Sequence, residues 1–555
     1  RPRAAAVAWP LDGRPLVRAT SSAASASGSP AAAAALVPAR ARARGRHSAW
    51  RDMLDKLVSI PASAKVPAER YIACANEVAA AARDVRQAPE LAQDECFGAF
   101  LKRLSSRLYG FSSYETYVLL ASLLRMPGLA STATGAEVLS RCVQQLAEEA
   151  GSLDSVQLGH ASLLLARGTA RLRSDAPALW RGSAEGSGLA ARSPLEADYL
   201  PLLADRASTL CAKGLCLAVE GLEEAALRCD DAAPLDALVA AAALRVGAVA
   251  ATSQLPRLAF SLASLGCRDE ADAFFPAAFQ RIASSAQRLV PGQLALTLLA
   301  VATVGGDRHI SSQALETLLR RVGDVTAFVG AKESLHLLRA WCLLSAEFPP
   351  RIVTSLLSSV ATMPRTMLSE SEDNALHQVA LSLSLEPAAS EALRDVQSAG
   401  AGSVWEHCWQ PEEVVGERAG REESSDVGAW VRSFIEEEAK ASLTDWRVAK
   451  GARFASGFYR TAFLLEPRPD VGSHARAAGS IAVDVDVDRP SWSEAPKDVW
   501  TRLKHRHLVL LGQRTIWINA RSLELLPDGA ESTVGSSRRR QAMRDLLPPE
   551  LLQKK

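Results

Sequence analysis

From residue 48 to about 400 the apolar positions recur at i, i+3, i+4 and i+7. Tyr117-Val118-Leu119-Leu120-Ala121-Ser122-Leu123-Leu124 and the run from Gln313 to Val322 both follow this period, which lays apolar side chains on one face and predicts amphipathic helices. Pro127-Gly128, Pro291-Gly292, Gly305-Gly306 and Pro349-Pro350 interrupt the pattern, so the helices are short and paired. Near the C-terminus the period changes to two. In Ile481-Ala482-Val483-Asp484-Val485-Asp486-Val487-Asp488 apolar residues hold the odd positions and acids the even ones from Asp484, the pattern of a half-buried strand that Pro490 stops. Asp498 can cap a helix carrying Val499, Trp500, Leu503, Leu508, Leu510 and Leu511, with Gly512 as its stop. Thr515 to Asn519 reads as a second strand, and a last helix is expected from about Ser537 to Leu547. Strand, helix and strand at this spacing make a βαβ crossover, which predicts two parallel, neighbouring strands in a small sheet.

The helical region compares with itself. Ala121-Ser122-Leu123-Leu124 recurs as Ala161-Ser162-Leu163-Leu164, 40 residues later. Leu258 to Gly266 aligns with Leu296 to Gly305, and the next copy runs from Leu335 to Ser345. A period near 40 fits a two-helix unit that buries its apolar face only by stacking on its neighbours, so an α-solenoid is expected. The phase breaks after Gly168, where the Gly/Ser/Arg-rich stretch from Thr169 to Ser193 reads as an inserted loop. The expected organisation is a basic leader over 1–47, a helical-repeat array over 48–400, an acidic helix and linker over 401–480, and an α/β domain over 481–551.

Composition agrees with a folded, helix-rich chain: of 555 residues 48% are hydrophobic, 23% charged and only 5% aromatic. The formal net charge of +1 hides a segregation. Arg1 to His47 holds eight arginines, no lysine and one acid, Asp12, within Ala/Ser-rich sequence. That is the composition of an organellar transit peptide, with a basic disordered tail as the other reading. Mitochondrion is the expected location and plastid the alternative. Trp405 to Asp445 holds eleven acids against four basic residues, and Lys497 to Lys555 twelve basic residues against six acids. Nine cysteines are spread without a Cys-x-x-Cys pair, which points to neither a disulfide framework nor a zinc ribbon. The apolar run from Leu289 to Val304 contains Pro291 and Gln293 and falls short of the ~20 apolar residues a bilayer requires, so no membrane insertion is expected.

The C-terminal motifs carry a resemblance. Val485-Asp486-Val487-Asp488-Arg489-Pro490-Ser491-Trp492, then Leu503-Lys504-His505-Arg506-His507-Leu508, Leu511-Gly512, Thr515-Ile516-Trp517-Ile518 and Leu525-Leu526 resemble the RAP domain, an RNA-binding module of organellar proteins. RAP proteins carry helical repeats upstream, octotricopeptide-like or FAST-kinase-like, and this chain has the same layout. The resemblance implies a small α/β domain of restriction-endonuclease-like fold. It also implies a role in processing, stabilising or translating mitochondrial or plastid transcripts, or a place in an organellar ribosome. The chain departs from the family where Arg489 stands for a glycine and Trp492 for a histidine, and Thr515 to Asn519 supplies no Glu-x-Lys.

RNA binding calls for cations that neutralise phosphates and for aromatic faces that stack bases. The candidates are Lys504 and Arg506 on the crossover helix, Arg514 before the second strand, Trp517 within it, and Arg538, Arg539 and Arg540 at the last helix. Trp517 either stacks a base or packs under the last helix. Asp484, Asp486 and Asp488 lie at about 6.8 Å intervals on one strand face and form a possible vestigial nuclease site, where such carboxylates would hold Mg²⁺. The bland reading is a charged edge strand that resists aggregation. His160, His309, His336 and His377 are scattered, one to a helix, and read as core or surface residues. Gly305-Gly306 lacks the Lys-Ser/Thr of a P-loop, and no Gly-x-Ser-x-Gly elbow occurs.

The sequence therefore reads as an organellar protein that binds single-stranded or ribosomal RNA without catalysis, with no cofactor, no metal and no catalytic residue assigned. The alternatives are a scaffold among organellar ribosomal proteins and a Mg²⁺-dependent RNA endonuclease.

Overall fold

A computed structural model describes residues 51–61, 65–81, 93–126, 128–176, 194–225, 233–267, 273–305, 309–344, 350–363, 370–385, 446–450, 453–454, 459–461, 463–467, 480–486 and 499–519, with a few single positions besides. Arg538, Arg539, Arg540, Asp488, the charge run Glu436 to Glu438 and the N-terminal 47 residues lie outside the described residues.

Helices dominate. They run α1 Ala68–Ala81, α2 Glu95–Arg107, α3 Ser113–Leu123, α4 Ala133–Glu149, α5 Ser155–Asp175, α6 Leu200–Arg206, α7 Ala212–Glu224, α8 Ala233–Arg245, α9 Leu255–Ser264, α10 Phe274–Ala283, α11 Pro291–Val304, α12 Ser312–Val325, α13 Ala331–Leu344, α14 Pro350–Ala361, α15 Glu370–Leu385 and α16 Val499–Leu510. Short polar residues start several of them by satisfying the free N–H groups of the first turn. Ser112 and Glu115 form a reciprocal capping box on α3, with the Ser112 N–H donating to Glu115 Oε2 at 2.7 Å. Asp154 accepts from the N–H groups of Val156 and Gln157 at 2.9 and 2.8 Å to open α5.

The odd-numbered helices from α1 to α15 pack each on the next, forming one layer. Helices α2 and α4 pack together, α4 meets the π-turn Leu195–Tyr199 leading into α6, and α6, α8, α10 and α12 follow in a second layer. The segments that align at a period near 40 all fall in the odd layer, on α3, α5, α9, α11 and α13. One continuous apolar core joins the layers from Leu54 to Leu383. Across the inserted stretch, α5 and α7 meet backbone to backbone. A Cβ on Gly159 would lie 2.0 Å from the Gly214 carbonyl oxygen, and one on Gly221 2.5 Å from the Leu163 nitrogen. Ser162 Oγ donates to the Ala218 carbonyl at 2.9 Å in the same contact.

The even layer is stitched by a recurring side-chain bond. Helices α2, α4, α6, α10 and α12 run into 3₁₀ turns. Carbonyls at these turns, or in the corresponding place after the helix at 51–59 and after α8, accept from a long side chain on the following even helix. Arg103 donates to the carbonyls of Leu57 and Ile60 at 3.0 and 2.5 Å, and Gln145 to that of Phe111 at 3.1 Å. Arg245 donates to the Ser208 carbonyl, Arg281 to those of Val246 and Val249, and Arg321 to that of Leu289 at 3.5 Å. Each of these five side chains stands nine residues before the residue that opens the next odd helix: Ser112, Asp154, Gln254, Val290 and Gly330.

The C-terminal part is α/β. Strands β1 Trp446–Lys450, β2 Arg453–Phe454, β3 Tyr459–Arg460, β4 Phe463–Pro467, β5 Ile481–Asp486 and β6 Arg514–Asn519 are present. The order β1-β4-β5-β6 makes one sheet, and β2 with β3 a separate hairpin. The expected crossover is there: β5 and β6 are parallel, Ile481 opposite Arg514 and Asp486 opposite Asn519, with α16 between them in sequence. Gly512, at φ +81°, turns the chain out of α16 in the left-handed region that favours glycine. The segment expected to be linker contributes more than that. Antiparallel β4 sets Phe463 against Val483 and Leu465 against Ile481, so the sheet begins near residue 446, not 481. β1 and β4 are five residues each and follow an acidic stretch, and runs that short give little periodicity to read. No described helix is long and apolar enough to cross a membrane.

Candidate functional site

Helix α16 is buried on two sides. Leu503, Arg506 and His507 stand at i, i+3 and i+4, one helical face, and Lys504 and Leu508 at i and i+4, another. Leu503 belongs to the apolar core of the array, and the helix contacts α13, α15 and β6. The polar side chains described on it, Lys504 to His507, are therefore committed inward.

On the sheet side, Lys504 Nζ sits 2.9 and 3.1 Å from the two carboxylate oxygens of Asp484 on β5, both residues buried. His505 Nε2 lies 3.4 Å from Asp484 Oδ2. Burial pushes the Asp484 carboxyl up, but the Lys504 charge and the Lys504 and His505 contacts outweigh it and hold the acid below the ordinary carboxylate range. A carboxylate buried beside an ammonium in this way is a structural ion pair, and a divalent cation could reach it only by displacing Lys504.

On the array side, Arg506 Nη1 donates to the Cys342 carbonyl at 2.5 Å, in the last turn of α13. The Ser382 hydroxyl of α15 donates to the Gln378 carbonyl at 3.0 Å and lies 2.7 Å from His507 Nε2. A hydroxyl has one proton, so with that proton on Gln378 the imidazole donates through Nε2–H. Burial, then the Arg506 charge, lowers His507 to about 4, which keeps the ring neutral at physiological pH.

The sequence-predicted residues thus separate. Lys504 and Arg506, expected on phosphates, are turned into the protein. The signal was present: Leu503 and Leu508 are five residues apart, so they cannot share a helical face, and a helix apolar on two faces has its cations between buried surfaces. Trp517 lies beside Asp484 in register and is half-buried, its Nε1 enclosed without a hydrogen-bond partner among the described residues. Arg514 is exposed at the start of β6. Asp486 stands opposite Asn519 at the end of β5. Among the described residues no group of three or more His, Cys, Asp or Glu side chains is placed to hold a metal ion.

A second set of polar residues links neighbouring helices of the odd layer, which sequence reasoning left unassigned. Arg167 of α5 makes a two-pronged pair with Glu224 of α7 at 2.8 and 3.1 Å. Arg257 of α9 reaches back to Glu220 and Glu223 of α7 at 3.2 and 3.0 Å, with its guanidinium 5.7 Å from the Phe260 ring centroid. Lys332 of α13 pairs with Glu372 of α15 at 3.0 Å. His160 of α5 bonds Tyr117 of α3, while His309 and His377 are buried in the array. Partners of this kind are read only from a fold, since they lie 30 to 60 residues apart in sequence.

No family model and no curated protein matches this chain.

Proposed function

We propose that the protein is an RNA-binding protein of an organelle, an α-solenoid of two-helix repeats closed by a RAP-like α/β domain. The observation that carries this reading is the two-layer helical array, whose odd helices α9, α11, α13 and α15 begin at Leu255, Pro291, Ala331 and Glu370, close to the 40-residue period. Such a layer offers a long, continuous face to an extended polymer. Aromatic and cationic side chains stand on helices of this layer at Tyr114, Tyr117, Arg167, Arg257 and Phe260, and Arg514 is exposed on the terminal domain. Mitochondrial or plastid transcripts, or ribosomal RNA, are the substrates that the C-terminal resemblance suggests.

Ultraviolet crosslinking of the full chain to single-stranded RNA, followed by mapping of the linked peptides, tests the reading. Crosslinks on α3 to α9 or around Arg514 are expected; their absence from both regions overturns it. Affinity should also fall with salt at a slope of about −0.7 per phosphate contact.

A second reading, a scaffold among organellar ribosomal proteins, is favoured by one specific observation. The cations Arg167, Arg257 and Lys332 already have acidic partners, and charge-balanced pairs suit a protein surface as well as a polyanion. Binding to ribosomal proteins that survives nuclease treatment and high salt would select it. The endonuclease alternative predicts Mg²⁺-dependent cleavage, and the Lys504 ammonium on Asp484 weighs against it.

A further inference from the structure

We propose that Tyr114, Tyr117 and His160 form a stacking site for one unpaired nucleobase. The inference rests on the RNA-binding reading and names where a base would be held.

The site is built from two neighbouring helices of the odd layer. Tyr114 and Tyr117 stand at i and i+3 on α3, so their rings meet on one face: the centroids are 6.3 Å apart and the planes 27° from parallel. The capping box of Ser112 and Glu115 fixes the turn from which Tyr114 projects. Tyr117 is held in turn from α5. Its hydroxyl lies 2.8 Å from His160 Nδ1, and the His160 ring meets it edge-on at 5.6 Å. The outer member of the group is Tyr114, which remains 53% exposed. The result is an anchored pair of rings with its outermost ring open to solvent.

The surroundings suit a nucleotide. Arg167 and Lys213 are the cations whose fields reach His160, and Asp154 and Tyr114 are the groups that act on Tyr117. Burial, then Arg167 and Lys213, lower the His160 pKa, while burial, then Asp154, push the Tyr117 phenol up to about 12. Both rings are therefore neutral at physiological pH. With Tyr117 donating to Nδ1, His160 carries its own proton on Nε2, a donor of the kind that base carbonyls accept. Base–aromatic stacking of this kind holds single strands without base-specific contacts. Tyr114 also sits outside the ion-pair ladder of Arg167 and Arg257, so a base can stack without breaking a salt bridge.

The test uses the full chain, a short single-stranded oligoribonucleotide, and the same strand with abasic positions. Tyr114→Ala is expected to weaken binding of the normal strand about tenfold. Its salt slope and its binding of the abasic strand should not change, and Tyr114→Phe should bind as the parent does. An exposed ring can be removed without loss of fold, and an unchanged melting temperature would verify that. If the parent chain binds RNA and Tyr114→Ala binds equally well, the stacking site is wrong while the RNA reading stands. Equal losses on normal and abasic strands, or a loss with Tyr114→Phe, also overturn it. A parent chain with no RNA affinity, including one that binds a protein at this surface instead, removes both.

Discussion

Lys504 on α16 and Asp484 on β5 form a buried ion pair at 2.9 Å that ties the crossover helix to the sheet it spans. The two belong to one βαβ unit, and the other face of that helix is fastened to the array through Arg506 and His507. The motif Lys-His-Arg-His at 504–507 is thus used as a two-sided fastener.

Removing one partner of such a pair leaves a buried charge without compensation. Lys504→Ala or Asp484→Ala is expected to cost about 3–5 kcal/mol, whereas the double change Lys504→Met with Asp484→Leu should cost much less because no charge remains buried. Denaturant unfolding of the three variants checks this, and equal losses in single and double variants would count against it. If RNA binds, the Lys504→Ala chain that still folds should keep the parent's salt slope, since an inward ammonium neutralises no phosphate.

His507 makes the same fastener sensitive to acid. Its folded pKa of about 4 lies below the ordinary imidazole value of 6.5, so the unfolded chain takes up the proton first and stability falls as pH drops from about 6.5 to 4. The loss is at most about 3 kcal/mol, from 1.36 kcal/mol per pH unit. Arg506 acts on the ring from its own helix, and Ser382 faces it from α15. Asp484 acts in the same direction lower down, its contribution being lost below the ordinary carboxylate range. Unfolding midpoints measured from pH 7 to 4 should decline in the parent and stay flatter in His507→Gln; parallel curves would refute the assignment.

Much of this was readable before folding. The i, i+3, i+4 spacing located the helices, and strict alternation from Ile481 with the Leu-rich run from Val499 located the crossover and its parallel pair. What escaped depends on pairing at a distance. Asp484 looked like a solvated acid because alternation reports two faces and does not say that both are covered. Lys504 and Arg506 looked like surface cations because a lysine is seldom buried without a partner, and the partner lay 20 residues away. The strands at 446–450 and 463–467 are too short to announce a period, and they become strands by pairing with each other and, through Phe463 and Leu465, with β5.

The contact of α5 with α7 has no slack. Gly221→Ala would put a methyl 2.5 Å from backbone atoms of Leu163 and Ser162, which cannot move without shifting the helix. A loss of about 1–3 kcal/mol is expected from overpacking. Gly247→Ala, where a Cβ meets nothing within 4 Å, is the control and should leave the melting temperature near the parent value.

The recurring arginines make the last prediction. Arg281 donates to two carbonyls, those of Val246 and Val249, at the end of the preceding even helix, a place where helical carbonyls lack intrahelical partners. Arg281→Ala leaves both to compete for water in a partly buried position, at a cost of about 1.5–3 kcal/mol for a hydrogen bond to a charged group. Arg281→Lys should recover only part of that, because one ammonium lacks the fixed fork that spans two acceptors. Arg320, one residue from the equivalent Arg321 but paired across an exposed turn with Glu316, supplies the contrast: Arg320→Ala should cost about 0.3–0.5 kcal/mol. If the array is held together by these side chains, hydrogen exchange in Arg281→Ala will quicken in α8 and α10 together, the two helices the guanidinium joins. Quickening confined to α10 would mean that the bond caps its own helix and does not couple the repeats.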